Sequence, residues 1–419
     1  MRIENKTEEL RSFLRKNKVF LVSSIKNTRM ISVADALKLI NISITPLRSE
    51  TIALKDALGY TLSETVYSKI NMPPFDQSAM DGYALNGSNT NTFKIIGEIQ
   101  AGDNTSKIDL KEGEAVRIFT GGMVPKTATT VVKQEITERI EHNVVILEAF
   151  EAGTNIRYTA EQINVGELAL KKGAQLNAAA IGFLAMLGVA SVSVFRKPKV
   201  RVLITGNELI AVGKELAPGQ IYESNSATLI AALQELSIDA EAITVSDDYG
   251  ATYECIQRLL WECDILISSG GISVGDYDFV GKALRANGVR EVFYKVKQKP
   301  GKPLLYGTSE TCHVFALPGN PASALTGLYL YVYPAIYKMM GREQSGLTRR
   351  KVRINQAYSK TTTMTHFLKG FVHDTEVELL ENQSSAMLNS FAAANCLIQM
   401  EEGRTEWFPN DVVTVIMLP

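Results

Sequence analysis

The sequence is poor in the residues that build metal centres and disulfide-stapled folds. Its 419 residues include only four cysteines and four histidines. The cysteines are scattered without a Cys-x-x-Cys pair, which predicts free thiols in a reducing compartment, the cytoplasm. The histidines form no pattern such as His-Glu-x-x-His, so the sequence gives little support to zinc chemistry or Ser-His catalysis.

Long apolar runs and an excess of charge of one sign are also missing. No apolar run reaches the roughly 18 residues of a membrane-spanning helix. The 44 Lys and Arg residues balance 45 Asp and Glu residues, for a net charge of −1. We therefore expect neither a nucleic acid nor a membrane among the partners. Residues 1–30, basic and then briefly apolar, are predicted to be a disordered leader or to precede the true start of the protein.

The rest of the chain divides by its periodicities into several domains. A capping box, Ser32-Val-Ala-Asp35, opens an amphipathic helix, and further helices are predicted over residues 55–66 and 177–187. Short β-type runs over residues 93–150 predict a small β domain. Strand–helix alternation from Lys197 onward predicts a three-layer α/β domain with a mostly parallel sheet. The predicted domains are a helical linker (31–72 and 155–196), an inserted β domain (73–154), the α/β domain (197–345) and a C-terminal β domain (346–419), whose runs lie at 351–358, 376–380, 394–400 and 411–418.

Four polar motifs in the α/β segment each follow an apolar run. They are Thr205-Gly-Asn-Glu208, Ser246-Asp-Asp248, Ser268 to Asp278 and Leu317-Pro-Gly-Asn-Pro321. Ligands of parallel sheets bind beyond the carboxyl ends of the strands, so we expect the four motifs on one rim. The third motif, with its two adjacent glycines and a helix expected to begin at Asp278, predicts a phosphate cradle. An ordinary strand–turn–helix connection is the alternative.

Charged side chains of both signs are expected at this rim. Four lysines recur at a spacing that puts several on one face of a predicted extended segment: Lys295, Lys297, Lys299 and Lys302. This spacing indicates an oxyanion site, or alternatively a solvated edge strand. Carboxylates and phosphate oxygens are the ligands that Mg²⁺ prefers. The candidate Mg²⁺ ligands are Glu208, Asp247 and Asp278.

Six ordered motifs resemble those of the molybdopterin molybdenumtransferase family, which acts in the last step of molybdenum cofactor synthesis and is homologous to the gephyrin E domain. The resemblance covers residues 31–419. One of the motifs, Phe75-Asp-Gln-Ser-Ala-Met-Asp-Gly-Tyr-Ala84, is predicted to be a functional loop. The other five are Thr120–Pro125, Thr205–Leu209, Ser268–Asp278, Lys299–Pro303 and Leu317–Pro321.

The resemblance implies a reaction and an assembly. Adenylylated molybdopterin is bound, molybdate is inserted at its dithiolene, and AMP is released with the help of Mg²⁺. In the implied homodimer the α/β domain, which would bind molybdopterin, faces the β domain of the other subunit, and the active site is shared. Further implied partners are molybdopterin adenylyltransferase and the molybdoenzymes that receive the cofactor.

The resemblance also assigns residues to these roles. The implied catalytic residues are Asp81, Thr120, Glu208, Asp247 and Asp278. The implied substrate-binding residues are Ser269, Gly270, Gly271, Ser273, Gly275, Lys295, Lys299, Lys302, Pro318, Gly319, Asn320, Pro321 and Ser385.

The chain departs from the family pattern in three places, one of which is the loop of residues 383–390, which keeps its serines but loses some family positions. Gln162 stands where the family has a second carboxylate, and Lys369 replaces an arginine, exchanging a bidentate phosphate donor for a point charge. Two other functions remain open. A gephyrin-like scaffold without activity would have been free to lose the acidic residues that are present here. A molybdopterin adenylyltransferase would need only the α/β domain. The sequence also leaves open whether molybdate or tungstate is the metal substrate.

Overall fold

The computed structural model describes residues 30–272, 279–344 and 346–419. The predicted leader, except Met30, and Ser273, Gly275 and Asp278 of the glycine motif lie outside the described residues. The chain forms two compact units. Of the described residues, the first unit comprises those within 30–50, 59–63 and 193–419, and the second comprises residues 51–58 and 64–192.

A six-stranded sheet dominates the second unit. Its strands lie in the order Thr130–Lys133, Gly82–Leu85, Glu114–Ile118, Thr92–Ile99, Asn143–Ile146 and Thr137–Ile140. Tyr83 and Leu85 pack into one hydrophobic cluster and Ala84 into another, because successive side chains of a strand face opposite sides of the sheet. The prediction that residues 75–84 form a functional loop is therefore wrong for the last three of them, because Gly82–Ala84 belong to a buried strand inside the sheet.

The remaining elements of this unit are short, and the prediction of a helix over residues 55–66 is wrong. A 3₁₀ turn, Leu54–Asp56, ends before Gly59, whose φ of 78° suits a residue without a Cβ. Strand Thr61–Leu62, in the first unit, follows and pairs with Val194 and Phe195, so tertiary pairing overrides local helix propensity. The helix predicted from Asn177 is present, with that side chain as its cap. The other elements near or within this unit are Ser49–Ala53, Val66–Tyr67, Gln77–Ser78, Gln134–Ile136 (3₁₀), Ile156–Arg157, Leu168–Leu170, Ala178–Met186 and Ser191–Phe195.

The first unit contains the predicted three-layer α/β fold. Its six-stranded sheet has the order Ala240–Val245, Val200–Thr205, Ile265–Ser269, His313–Leu317, Leu305–Thr308 and Arg290–Tyr294. The first four strands are parallel, and Leu305–Thr308 runs antiparallel to both of its neighbours, so five of the six strands point the same way and the sheet is mostly parallel, as predicted. Strand Leu305–Thr308 was not predicted. It is short and contains Gly307, where a Cβ would lie 2.7 Å from Val289 Cγ1.

Helices cover both faces of this sheet. One face packs its alternating residues, such as Val202 and Ile267, against helices Asn225–Glu235 and Pro321–Met339. The other face packs Leu203 and Leu266 against Tyr249–Glu262 and Phe279–Ala286. The long helix after the strand His313–Leu317 consists of an α segment (Pro321–Gly327), a π-helical segment (Leu328–Val332) and a second α segment (Tyr333–Met339). The helix predicted from Ser32 spans Val33–Ser43 and is capped by that serine.

A small β-barrel follows the α/β fold. Its ring consists of Thr365–His373, Glu376–Leu379, Arg349–Ile354, Val412–Met417 and Cys396–Met400, and the last strand pairs again with the first. Strand Gln298–Lys299, which belongs to the α/β segment by sequence, pairs with Thr365 and His366. The nine-residue strand Thr365–His373 was not predicted, because buried polar residues such as His366 and Lys369 break its apolar pattern. The minor elements are Leu209–Ile210, Ile221–Tyr222, Tyr358–Ser359, Glu406–Trp407 and helix Asn389–Ala393.

The fold class predicted from the sequence is thus confirmed, with an α/β core and additional β-rich domains. None of the helices in the described parts of the chain combines the length and apolar character that a membrane crossing requires.

Candidate active site

A cavity of about 1320 Å³ lies at the carboxyl ends of the parallel strands in the first unit. All four predicted strand-end motifs contribute to its wall, as expected for loops at one rim of a parallel sheet. The barrel supplies another part of the wall. The predicted site residues that line the cavity are Glu208, Asp247, Ser269, Gly270, Gly271, Lys299, Lys302, Pro318, Gly319, Asn320, Pro321 and Ser385.

The paired glycines after strand Ile265–Ser269 allow a close approach of backbones. Gly270 has φ 95° and Gly271 φ 64°, a region that side chains disfavour. A Cβ on Gly270 would lie 3.0 Å from Thr205 O, and one on Gly271 would lie 2.6 Å from Val280 Cγ2. Gly270 N also donates to Leu317 O at 3.2 Å. The glycines therefore let three neighbouring strand ends converge beside the cavity.

Asn225, at the start of helix Asn225–Glu235, was not predicted as a site residue. Its amide donates to Ser269 Oγ and to Gly319 O, both at 2.8 Å. It thus joins two of the predicted motifs across the cavity wall. Asn225 Oδ1 is buried and has no hydrogen-bond partner among the described residues. The only sequence signal was the polar pair Ser224-Asn225 ahead of an apolar helix.

Three carboxylates line the cavity, Glu208, Glu223 and Asp247, and Glu223 was not predicted. Burial, and then the negative charge of Glu208, raise the pKa of Asp247 above its usual value. Asn207 Oδ1 accepts a hydrogen bond from Asp247 N at 3.1 Å and steadies that loop. The third predicted metal ligand, Asp278, lies outside the described residues. Within the described ranges, no three His, Cys, Asp or Glu side chains come close enough to hold a metal ion.

Two of the four lysines line the cavity and the other two do not. Lys295 adopts φ 68°, its ammonium lies 4.9 Å from the centre of the Tyr294 ring, and it is not part of the described cavity wall. Lys297 pairs with Glu402 at 3.0 Å. Lys299 and Lys302 do line the cavity and are exposed. The turn at Lys295 breaks the extended segment that the spacing predicted.

Lys369 does not face the cavity either. It is only 3 % exposed, and its ammonium donates to the carbonyls of Asn382, Ser384 and Met387 at 2.8, 3.2 and 3.4 Å. The interpretation of this residue as a substitute phosphate donor is therefore wrong. Lys369 instead supports the serine loop, residues 382–387, whose Ser385 Oγ accepts a 3.0 Å bond from Asn320 Nδ2.

His366 and Tyr358 are cavity-wall residues that the sequence reasoning missed. His366 Nδ1 lies 2.8 Å from Tyr358 Oη, and its Nε2 lies 3.0 Å from Thr362 Oγ1. The imidazole is buried, and burial together with the charges of Lys360 and Lys299 lowers its pKa to about 4. It is therefore neutral at physiological pH. No sequence pattern marked it, because a single histidine in a strand does not show which groups its two ring nitrogens contact.

Asp81 and Thr120 lie together in the second unit. Asp81 Oδ1 accepts bonds from Thr120 N at 2.8 Å and from Thr120 Oγ1 at 2.7 Å, and these two bonds lower the pKa of the carboxyl group. Asp76 and Thr159 form a second pair of the same kind, with both distances 2.7 Å. Gln162 donates its backbone N–H to Met72 O at 2.9 Å. The structure thus pairs the two predicted catalytic residues of this unit.

The fold and the cavity define a multidomain α/β protein whose ligand site lies at the carboxyl ends of parallel strands. Three family models match the chain. They are the "MoeA N-terminal region (domain I and II)" over residues 31–188, the "Probable molybdopterin binding domain" over 202–338, and the "MoeA C-terminal region (domain IV)" over 351–418.

Relatives of known name match over most of their length. A molybdopterin molybdenumtransferase of Haemophilus influenzae is 34 % identical over 381 residues, covering 88 % of this chain and 94 % of that protein. One from Staphylococcus epidermidis is 31 % identical over 408 residues, covering 94 % and 97 %. The crystal structure of the molybdopterin biosynthesis moeA protein from Pyrococcus horikoshii OT3 superposes with a TM-score of 0.78 at 26 % identity, covering 93 % of this chain and all of that one.

The chain belongs to the molybdopterin molybdenumtransferase family. The resemblance read from six motifs is confirmed, and so is the prediction that the protein is an enzyme of this type. The roles assigned to individual site residues stay predictions.

Proposed function

We propose that the protein inserts molybdate into adenylylated molybdopterin and releases AMP, giving molybdenum cofactor. The observation that carries this proposal is the composition of the cavity wall. Glu208 and Asp247 follow the carboxyl ends of strands Val200–Thr205 and Ala240–Val245. Lys299 and Lys302 lie on the segment beside the barrel. Such a wall suits a polyanionic substrate together with a hard cation.

The lysines are suited to oxyanions. Lys299 and Lys302 are exposed cations that bind phosphate oxygens or the molybdate dianion. The serine loop and Asn320 supply neutral hydrogen-bonding groups beside them. In this proposal the lysines bind and orient the anions, while Ser385 and Asn320 fix the position of the organic part of the substrate.

The acidic residues fit a magnesium ion. Glu208 and Asp247 would hold it, since burial and then repulsion by Glu208 raise the pKa of Asp247, and a cation between the two carboxylates relieves that repulsion. Bound Mg²⁺ would neutralise charge on the phosphate oxygens of the pyrophosphate link. The proposed compartment is the cytoplasm, which the four free cysteines support.

We infer that the active enzyme is a homodimer in which Asp81 and Thr120 of one subunit complete the cavity of the other. Mixing two inactive variants, Asp81→Ala and Glu208→Ala, tests this inference. A mixed dimer then contains one intact site out of two. Random exchange of equal amounts makes about half of the dimers mixed, so about a quarter of the wild-type activity is restored. No recovery after verified subunit exchange would contradict a shared site.

The reaction itself is tested by incubating the purified protein with adenylylated molybdopterin, Mg²⁺ and molybdate and measuring AMP. We expect molybdate-dependent AMP release that Glu208→Gln abolishes. Glu215→Gln, at an exposed glutamate outside the described cavity wall, is the matched control and should retain activity. Absence of AMP release from the wild type would favour a scaffold. Formation of the adenylylated pterin from molybdopterin and ATP would favour the adenylyltransferase.

A further inference from the structure

The two cavity lysines lie on a short loop with a closed backbone. This lysine loop comprises residues 296–303. Lys295 N donates to Leu304 O at 2.9 Å and Val296 N to Lys302 O at 3.0 Å, which joins the two ends of the loop. Lys299, within the loop, and Lys302, at its closing end, are exposed, so the shape of the loop decides where their ammonium groups can reach.

The interior of the lysine loop is filled by the amide of Gln298. This side chain is only 1 % exposed. Its Nε2 donates to Pro300 O at 3.0 Å and to Gly301 O at 3.3 Å. Gly301 has φ 78°, and a Cβ there would lie 3.2 Å from Gln298 Nε2. The amide therefore acts as a template around which the backbone between the two lysines is folded.

A buried tyrosine fixes the orientation of this amide. Tyr331 Oη donates a hydrogen bond to Gln298 Oε1, and the tyrosine is fully buried. Tyr331 lies in the π-helical segment Leu328–Val332. Such segments are rare in proteins overall, and those that occur are often found at functional sites. Because the carbonyl oxygen is held by Tyr331, the NH₂ group must point toward the loop carbonyls. Neither residue had been marked by the sequence motifs.

We propose that Gln298 and Tyr331 are positioning residues that set the anion affinity of the cavity by holding Lys299 and Lys302 in place. The proposal rests on the proposed function, in which these lysines bind the substrate's oxyanion groups. Removing the tyrosine hydroxyl leaves the amide carbonyl buried without its donor and frees the amide to rotate. The ammonium groups of Lys299 and Lys302 then occupy several positions instead of one, which weakens anion binding.

Pyrophosphate binding to the full-length protein, measured by calorimetry, is the test. We expect Tyr331→Phe to weaken binding about tenfold, the change that a loss of one buried hydrogen bond gives. The matched control is Tyr333→Phe on the same helix, whose hydroxyl bonds Glu235 at 2.8 Å and the Ala232 carbonyl, away from the loop. It should lower thermal stability similarly and leave pyrophosphate affinity unchanged.

A double-mutant cycle separates positioning from general destabilisation. In the Lys299→Ala, Lys302→Ala background, Tyr331→Phe should have no further effect on pyrophosphate affinity, because the groups it positions are gone. Equal loss of affinity in Tyr331→Phe and Tyr333→Phe, or additive effects in the cycle, would overturn the proposal. Wild-type protein that fails to bind pyrophosphate would overturn it as well. Wild-type protein that binds pyrophosphate without releasing AMP would contradict the proposed reaction and leave the positioning role intact.

Discussion

His366 allows a quantitative prediction about stability at low pH. The imidazole is 5 % exposed, and its pKa is about 4 in the folded protein against an ordinary value of 6.5 for a solvated histidine. The unfolded chain therefore binds a proton between these two values that the folded chain does not bind. Stability falls as the pH is lowered through this window and is unaffected by this group above it.

The magnitude follows from the difference in pKa. A gap of about 2.5 at about 1.4 kcal/mol for each pKa unit gives about 3 kcal/mol lost between pH 7 and pH 4. Replacing His366 by Gln removes this titration and should flatten the pH dependence by that amount. His142→Gln, at an exposed histidine of the other unit, controls for histidine replacement as such.

Tryptophan fluorescence provides the assay. The chain has two tryptophans, and Trp407 is buried in the barrel with its ring centre 6.0 Å from that of Tyr358. In a Trp261→Phe background, urea unfolding between pH 4 and pH 7.5 thus reports on the barrel that contains His366. An NMR titration of the imidazole measures the pKa directly. A His366 signal that titrates above pH 6, or parallel loss of stability in wild type and His366→Gln, would refute the argument.

Three further predictions follow from contacts described by the structure. Asp264→Ala removes both acceptors of the bonds from Arg196, at 2.6 and 2.7 Å, and leaves a mostly buried cation, so thermal unfolding should show a loss of about 3 kcal/mol. A loss of only a few tenths of a kcal/mol would contradict this reasoning. Lys369→Met removes the donor that holds the serine loop, and we expect a higher KM for the pterin substrate that Lys369→Arg partly corrects; an unchanged KM would show that the loop keeps its shape alone. Thr120→Val removes one of the two hydrogen bonds to Asp81, so an NMR titration should show a higher pKa of that carboxyl group, and AMP release should be slower. Thr120→Ser should preserve both hydrogen bonds. Identical titrations in the wild type and both variants would show that the Thr120 hydroxyl does not lower the pKa of Asp81.

The sheet and its rim could be predicted because parallel strands obey simple rules. Strands such as Ala240–Val245 and Ile265–Ser269 alternate with helices in the structure, as the sequence pattern from Lys197 onward predicted. Carboxyl ends of neighbouring parallel strands share an edge, so motifs remote from one another in sequence were expected together. Asp247, Ser269 and Asn320 do line one cavity.

The supporting residues could not be predicted, because their partners are remote in the chain. Gln298 and Tyr331 are separated by 33 residues, and Asn225 and Ser269 by 44. A buried glutamine reads in sequence like any surface glutamine. Lys369 illustrates the same limit, since a lysine in a strand suggests exposure until the three carbonyls around its ammonium are known.

The two-residue strand Gln298–Lys299 has a consequence for how the chain can be divided. It pairs with Thr365 and His366, which belong to the one barrel strand that is longer than its partners in the ring. A cut before the barrel would separate Gln298–Lys299 from the barrel strand. Main-chain donors and acceptors at Thr365 and His366 would then be unpaired along an open β edge, a surface prone to self-association. Lys299 of the cavity wall lies in this same strand, so such a cut would divide the cavity wall between two fragments and would also leave the barrel fragment prone to self-association.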